Sequence, residues 1–233
     1  MTLEVRWLGR TDYREAWQLQ HHLVAARAAG EISDQLLLVE HPPVLTLGRH
    51  ADPAHVLASS TELARRGVEL IRVERGGEVT YHGPGQLVGY PIVRLADRQL
   101  LIRPFVRALE EAMAQTAAAY GVAAGRRDGL PGLWCDTAGP QPRKLGALGL
   151  RVERGVTYHG IALNVTTDLA GFALIDPCGM PAVTVTSIAR ELGWDGATGQ
   201  PSTDSVEQAG RHFAAALTKL LVRAPADRQL VTA

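Results

Sequence analysis

The phrase RVERGGEVTYHGPGQ, Arg72 to Gln86, returns in shortened form as RVERGVTYHGIALN, Arg151 to Asn164. In both copies β-branched and aromatic residues alternate with polar ones and the run stops at glycine, which is how half-buried strands bounded by turns are written. The neighbouring segments VELIRVERGG, GQLVGYPIVRL, GLWCD and KLGALGLRVERG follow the same rule, so most of the chain between Val68 and Val165 is committed to sheet. LLLVEHPPVLTLGRH adds a strand, a turn at Pro42 and Pro43, and a second strand.

Helical spacing interrupts this sheet at a few places. Leu3 to Leu8 opens as a strand, and Asp12 to Ala29 follows as a helix that Gly30 ends. Ser60 is placed to cap a short helix through Arg66. RPFVRALEEAMAQTAAAY, Arg103 to Tyr120, is the strongest helical pattern, with Pro104 in its first turn and Gly121 at its stop. Further helices are expected near Thr186 to Leu192 and Ser205 to Leu221. Strands, helix, strands, helices is the order of an α+β fold with a mixed sheet, not of a regular βαβ winding.

The repeated phrase does not make a duplicated domain. A helix precedes the first copy and a strand the second, and the spacing from Gly76 to Val79 differs from that from Gly155 to Val156. With 233 residues, 46% of them hydrophobic, residues 1–233 can form one domain with its own core, the last stretch from 223 to 233 being a loose tail. Equal numbers of acidic and basic residues leave no basic face for a phosphate backbone, so nucleic acid is not an expected partner. No apolar run reaches membrane-spanning length and no leader pattern stands at the N-terminus, from which a cytoplasmic protein without a membrane partner is expected.

Glycines beside strands let a backbone approach a ligand closely. RGG and HGPG flank Glu78 to Tyr81, and LGALGL adds small residues to an apolar strand, which suggests a narrow apolar slot fitted with Tyr81, His82, Tyr158 and His159. Ordinary turns explain the same glycines equally well. Neither phosphate-loop spacing nor GxGxxG is present, and the histidines show no HExxH or CxxC context, so no metal and no cofactor are expected.

Of the two cysteines, Cys178 sits in DPCGMP between proline and glycine, in a segment without periodicity, where backbone amides can face a reacting carbonyl. Cys135 in GLWCD reads as a packed strand residue. A thiol needs a nearby positive charge or base to react as thiolate. Of 24 basic residues only Lys144 and Lys219 are lysines, and Lys144 could supply it. Spacing alone does not unite Cys178 with Lys144, and a buried thiol with a surface lysine remains the alternative.

Three ordered blocks carry a resemblance: RGGEVTYHGPGQLVGYP from Arg75 to Pro91, KLGALGLRVERGVTYHGIALNV from Lys144 to Val165, and DPCGMP followed by VTSI. Through them the chain resembles the lipoyl(octanoyl) transferases. The resemblance implies the mixed sheet flanked by helices of the biotin/lipoate protein ligase fold. It also implies transfer of an octanoyl group from octanoyl-acyl carrier protein to lysines of lipoyl domains, those of 2-oxoacid dehydrogenase complexes and of the glycine cleavage H protein. Cys178 would carry the acyl group as a thioester, and Lys144 would lower its pKa and later act as base.

Substrate binding would fall to Arg75, Gly76, Gly77, Glu78, Val79, Thr80, Tyr81 and His82, to Ala147, Leu148 and Gly149, and to Gly160, Ile161 and Ala162. The two Val-Thr-Tyr-His-Gly copies would then line one acyl slot, in which an octanoyl tail is worth on the order of 4 to 5 kcal/mol. Asp176 stands where many members carry asparagine, and a carboxylate near the thiol opposes thiolate formation. The rivals are an ATP-dependent lipoate or biotin-type ligase, which needs no cysteine, and a non-catalytic acyl-carrier binding protein.

Overall fold

The computed structural model describes residues 2–176, 183–194 and 204–223. Cys178 and the tail from 224 to 233 lie outside the described residues.

β1 (Leu3–Arg10) leads into α1 (Tyr13–Ala29), whose Asp12 carboxylate accepts the Arg14 and Glu15 amides and whose end is turned by Gly30 at φ 81°. β2 (Asp34–Glu40) and β3 (Val44–Leu47) come next, then α2 (Ser60–Arg65). The cap of α2 is Ser59 rather than Ser60, since the Ser59 hydroxyl accepts the Glu62 amide at 3.2 Å. β4 (Glu69–Arg72), β5 (Val79–His82) and β6 (Gln86–Ile92) precede α3 (Ile102–Ala119). β7 (Gly125–Arg127), β8 (Leu130–Cys135), β9 (Arg143–Glu153) and β10 (Val156–Asn164) complete the strand-rich region. β11 (Thr184–Val185), α4 (Ile188–Glu191) and α5 (Asp204–Arg223) follow.

Among the described residues the strands form two sheets. The larger runs β1-β2-β6-β10-β9-β8-β7 with β11 against β9, and the smaller runs β4-β3-β5. Parallel pairs at β1–β2 and β9–β11 among antiparallel ones make the large sheet mixed. Pro42 and Pro43 do not close a hairpin. They carry the chain from the large sheet at β2 to the small one at β3.

One face of the large sheet packs on α3 and α5 through Leu36, Leu87, Phe105, Leu109, Met113 and Phe213. The other packs on α1 through Val39, Val88, Leu23 and Tyr158. With both faces covered, β2, β6 and β10 are buried along their whole length. A buried Asp34 ties one edge together, accepting from Arg27 at 2.7 Å and Arg98 at 2.5 Å.

Pro91 lies within β6 although that strand is flanked by β2 and β10 and a proline gives no amide to a ladder. β10 accommodates it by an irregularity. Its ladder with β6 spans Ile161–Gly89 to Asn164–Gln86, and it rejoins further on, where the Thr157 amide donates to the Val93 carbonyl at 2.9 Å. Between these points His159 takes φ 53°, a left-handed conformation in which histidine is one of the less disfavoured side chains. Its amide donates to Gln20 Oε1 of α1 at 2.8 Å, and its ring stacks on that of its own neighbour Tyr158 at 4.8 Å. Successive strand residues ordinarily point to opposite faces; here the backbone turns His159 to the α1 face.

Candidate active site

A pocket opens between the two sheets on the α1 side, enclosing a cavity of about 90 Å³. Its walls come from distant parts of the chain: Tyr13 of α1, the loop at Arg75 to Glu78, β5, β6, β9 and β10. Ala147 and Gly149 on β9 pair with Ala162 and Gly160 on β10, so the floor of the slot is made of small side chains and backbone. A methyl added at Gly149 would stand 2.7 Å from the Gly76 carbonyl oxygen, and one at Gly160 2.0 Å from that of Gly89. Those contacts fix glycine at both places.

Of the residues expected from the sequence, Arg75, Gly77, Glu78, Val79, Thr80, His82, Lys144, Ala147, Leu148, Gly149, Gly160, Ile161 and Ala162 surround this one cavity. Gly76 and Tyr81 do not. The Gly76 amide is turned to the Leu150 carbonyl at 3.0 Å, where it ties the loop to the end of β9. Tyr81 shares the face of Val79 that packs into the small-sheet core, edge-on to Phe172 at 5.4 Å. Tyr158 likewise belongs to the core against α1. In both copies of the repeated phrase the histidine reaches the cavity and the tyrosine goes to core.

The Val-Glu-Arg-Gly halves differ more. Arg75 is buried, giving hydrogen bonds to the Thr46 carbonyl at 2.6 Å and to Thr46 Oγ1. Its counterpart Arg154 sits at φ 50° before Gly155 at φ 77° in the exposed turn between β9 and β10. One phrase thus serves as a wall of the cavity and as a hairpin turn.

Sequence reasoning missed several residues at the site. Gln86 Oε1 accepts from His82 Nδ1 at 2.7 Å, while Gln86 Nε2 donates to Asn164 Oδ1 at 2.9 Å and to the Tyr81 carbonyl. Asn164 Nδ2 continues to the Thr186 carbonyl at 2.9 Å. Because the Gln86 amide nitrogen is used by two acceptors, its oxygen must face His82, which puts the imidazole proton on Nδ1 and leaves Nε2 as an acceptor. Burial, with His41 close by, pushes the His82 pKa down to about 3. His41 is also held neutral, at about 4, by burial; its ring bridges the Thr11 carbonyl at 2.7 Å and the Tyr90 hydroxyl at 2.8 Å. Tyr13, stacked on His82 at 5.9 Å, is raised to about 12 by burial. His82 and Tyr13 therefore give the cavity polar but uncharged groups, beside the buried Arg75 guanidinium.

Lys144 is buried rather than on the surface. Its Nζ lies 5.3 Å from the centroid of the Trp134 ring, and its backbone pairs with Trp134 of β8 and with Val185 of β11. Cys135 is packed in β8, and burial raises its thiol to about 11, which makes it a poor nucleophile. Asp176, the last described residue before Cys178, donates its amide to the His55 carbonyl at 2.8 Å. His55 Nδ1 lies 3.1 Å from Glu78 Oε2, so the segment that leads to Cys178 is tied to a wall of the cavity. Among the described residues no three histidine, cysteine or carboxylate groups converge as a metal site, and no helix is long and apolar enough to cross a membrane.

Residues 12–216 match the lipoyl protein ligase A/B catalytic domain family. An octanoyltransferase of Chloroflexus aurantiacus is 47% identical over 214 residues, covering 91% of this chain and 95% of the relative. The chain belongs to the octanoyltransferase family. Two solved structures show that this chain has the ligase fold. A bi-partite lipoate protein ligase from Thermoplasma acidophilum superposes with a TM-score of 0.63 at 18% identity, covering 93% of this chain and 85% of that one. A lipoate-protein ligase A bound with ATP gives 0.63 at 19%, covering 94% and 86%. The mixed sheet flanked by helices is that fold, as the sequence led one to expect.

Proposed function

We propose that this octanoyltransferase works in two steps through Cys178. The Cys178 thiolate attacks the carbonyl carbon of octanoyl-acyl carrier protein, the carrier's thiol leaves with a proton, and the octanoyl group stays on Cys178 as a new thioester. The amine of a lipoyl-domain lysine then attacks that thioester, an amide forms, and the Cys178 thiol is regenerated. Lys144 favours the thiolate in the first step and accepts a proton from the incoming amine in the second. The acceptors are the lipoyl domains of 2-oxoacid dehydrogenase complexes and the glycine cleavage H protein. Exchange of one thioester for another is nearly balanced and the amide is the more stable product, so transfer runs without ATP.

The observation that carries this reading is Lys144 itself. A buried lysine stands at one end of a narrow slot floored by Ala147, Gly149, Gly160 and Ala162, and the Asp176 segment leading to Cys178 is tied to the Glu78 wall of the same slot. The slot suits an unbranched acyl chain, which a floor of small residues admits and a bulkier one would not.

Intact-protein mass spectrometry tests it. The chain is mixed with octanoyl-carrier protein, without ATP, beside Cys178→Ser and Lys144→Ala. The expected result is an octanoyl adduct on the wild type that discharges to a lipoyl domain, is absent from Cys178→Ser and is much slower to form on Lys144→Ala. Acylation that appears only with ATP and free octanoate would move the protein to ligase chemistry.

A further inference from the structure

Resting on the octanoyl-transfer reading, we infer that His159 is the end wall of the slot and sets the longest acyl chain the enzyme accepts. The register of β9 and β10 supplies a ruler. From Lys144 the slot runs past Ala147–Ala162, Leu148–Ile161 and Gly149–Gly160, and the next pair is Leu150–His159. The five residue steps from Lys144 to Gly149 cover about 17 Å, room for an extended eight-carbon acyl chain and its thioester link with one van der Waals contact at each end. His159 directly follows Gly160 along β10 and its side chain lines the same cavity.

This wall is rigid and chemically unlike the floor of small residues it closes. Its ring is stacked on Tyr158 at 4.8 Å, its amide is held by Gln20 at 2.8 Å, and its left-handed backbone is fixed by the break in the β6–β10 ladder at Pro91. Nε2 stands 3.9 Å from Glu74 Oε1, beyond a hydrogen bond. Both ring nitrogens are buried and have no hydrogen-bond partner among the described residues. Such polar atoms are costly to leave unsatisfied, and contact with added methylenes does nothing to satisfy them. A longer chain would have to displace the ring from Tyr158 or abut this unsatisfied edge; an octanoyl chain stops short of it.

The test compares hexanoyl-, octanoyl- and decanoyl-carrier proteins on the wild type, His159→Gly and His159→Asn, reading acyl-enzyme by intact mass and transfer to a lipoyl domain by kcat/KM. Glycine and asparagine both tolerate the left-handed backbone, so the asparagine variant carries the test if the glycine variant does not fold. The decanoyl-to-octanoyl ratio of kcat/KM should rise about tenfold or more in His159→Gly, the scale on which pockets discriminate methylenes, and by less in His159→Asn. A purely structural role would lower all three chains together; an unchanged ratio in folded variants overturns the inference. If the wild type forms no octanoyl adduct at all, the transfer reading fails first, and the inference falls with it.

Discussion

Replacing Gln86 by methionine tests the buried amide chain behind the cavity. Gln86 is 1% exposed, and its side chain is of nearly the same volume as methionine, so the substitution removes polarity and leaves packing almost intact. Three partners lose a hydrogen bond at once: His82 Nδ1, Asn164 Oδ1 and the Tyr81 carbonyl. At about 1 to 3 kcal/mol for each buried group left unsatisfied, with some relaxation, the expected loss is about 3 to 6 kcal/mol. That is a large part of the 5 to 15 kcal/mol typical of a folded domain. Urea unfolding followed by far-ultraviolet circular dichroism measures it as a lower midpoint at unchanged slope. Adding Asn164→Leu to Gln86→Met should cost less than the two losses together, because one exposed mismatch then vanishes. A loss under about 1 kcal/mol for Gln86→Met alone would refute both the amide orientation and the assignment of the His82 proton to Nδ1.

Other perturbations follow from the same geometry. Acid should destabilise the protein early: His41 and His82 are held at about 4 and about 3 when folded, so the unfolded chain binds more protons as pH falls below the ordinary histidine value. Their contribution is complete above about pH 6.5 and is lost on the way down, each by up to about 1.4 kcal/mol per pH unit; unfolding midpoints between pH 7 and 5 that do not fall would contradict their burial as neutral rings. Ala147→Leu puts three extra carbons into the slot and should displace as many methylenes of substrate, about 2 kcal/mol of octanoyl binding; steady-state comparison of hexanoyl and octanoyl donors should show preference moving to the shorter chain. Asp34→Ala takes a buried carboxylate from both Arg27 and Arg98, Arg27 keeping Asp97 at 2.6 Å, and should cost about 3 kcal/mol in urea.

Local signals in the sequence translated well. Asp12 and Gly30 bracket α1 as capping chemistry requires, and the helical pattern from Arg103 to Tyr120, with Pro104 and Gly121 at its ends, located α3 to within a residue at each end. Pairing was harder to see, because nothing in EHPPV says that β2 and β3 enter different sheets, and β7 and β11 are too short to carry a period. Tyr81 was misplaced for a reason the sequence did contain. Period-two alternation puts Tyr81 on the side of β5 opposite His82, toward the small-sheet core, although Val79 on that side still touches the cavity. The reverse holds for His159, whose direction depends on a left-handed backbone set against a proline on a neighbouring strand. Gln86 and Asn164 stood at the ends of the very segments that repeat, yet their partnership is a long-range contact that no single strand announces.

The walls of the cavity are drawn from Tyr13, Arg75, His82, Lys144, His159 and Val185, so no fragment of the chain owns the site. An acyl group seated there touches both sheets and α1 together and adds a cross-brace to the packing by which α1 already joins them. Occupancy and cooperativity are then one quantity: whatever fills the slot should raise the melting temperature of the whole domain in proportion to the logarithm of its concentration over its Kd. Thermal shift thereby becomes a direct gauge of which acyl chains fit, even in a Cys178→Ser protein, which the proposed mechanism makes unable to turn over.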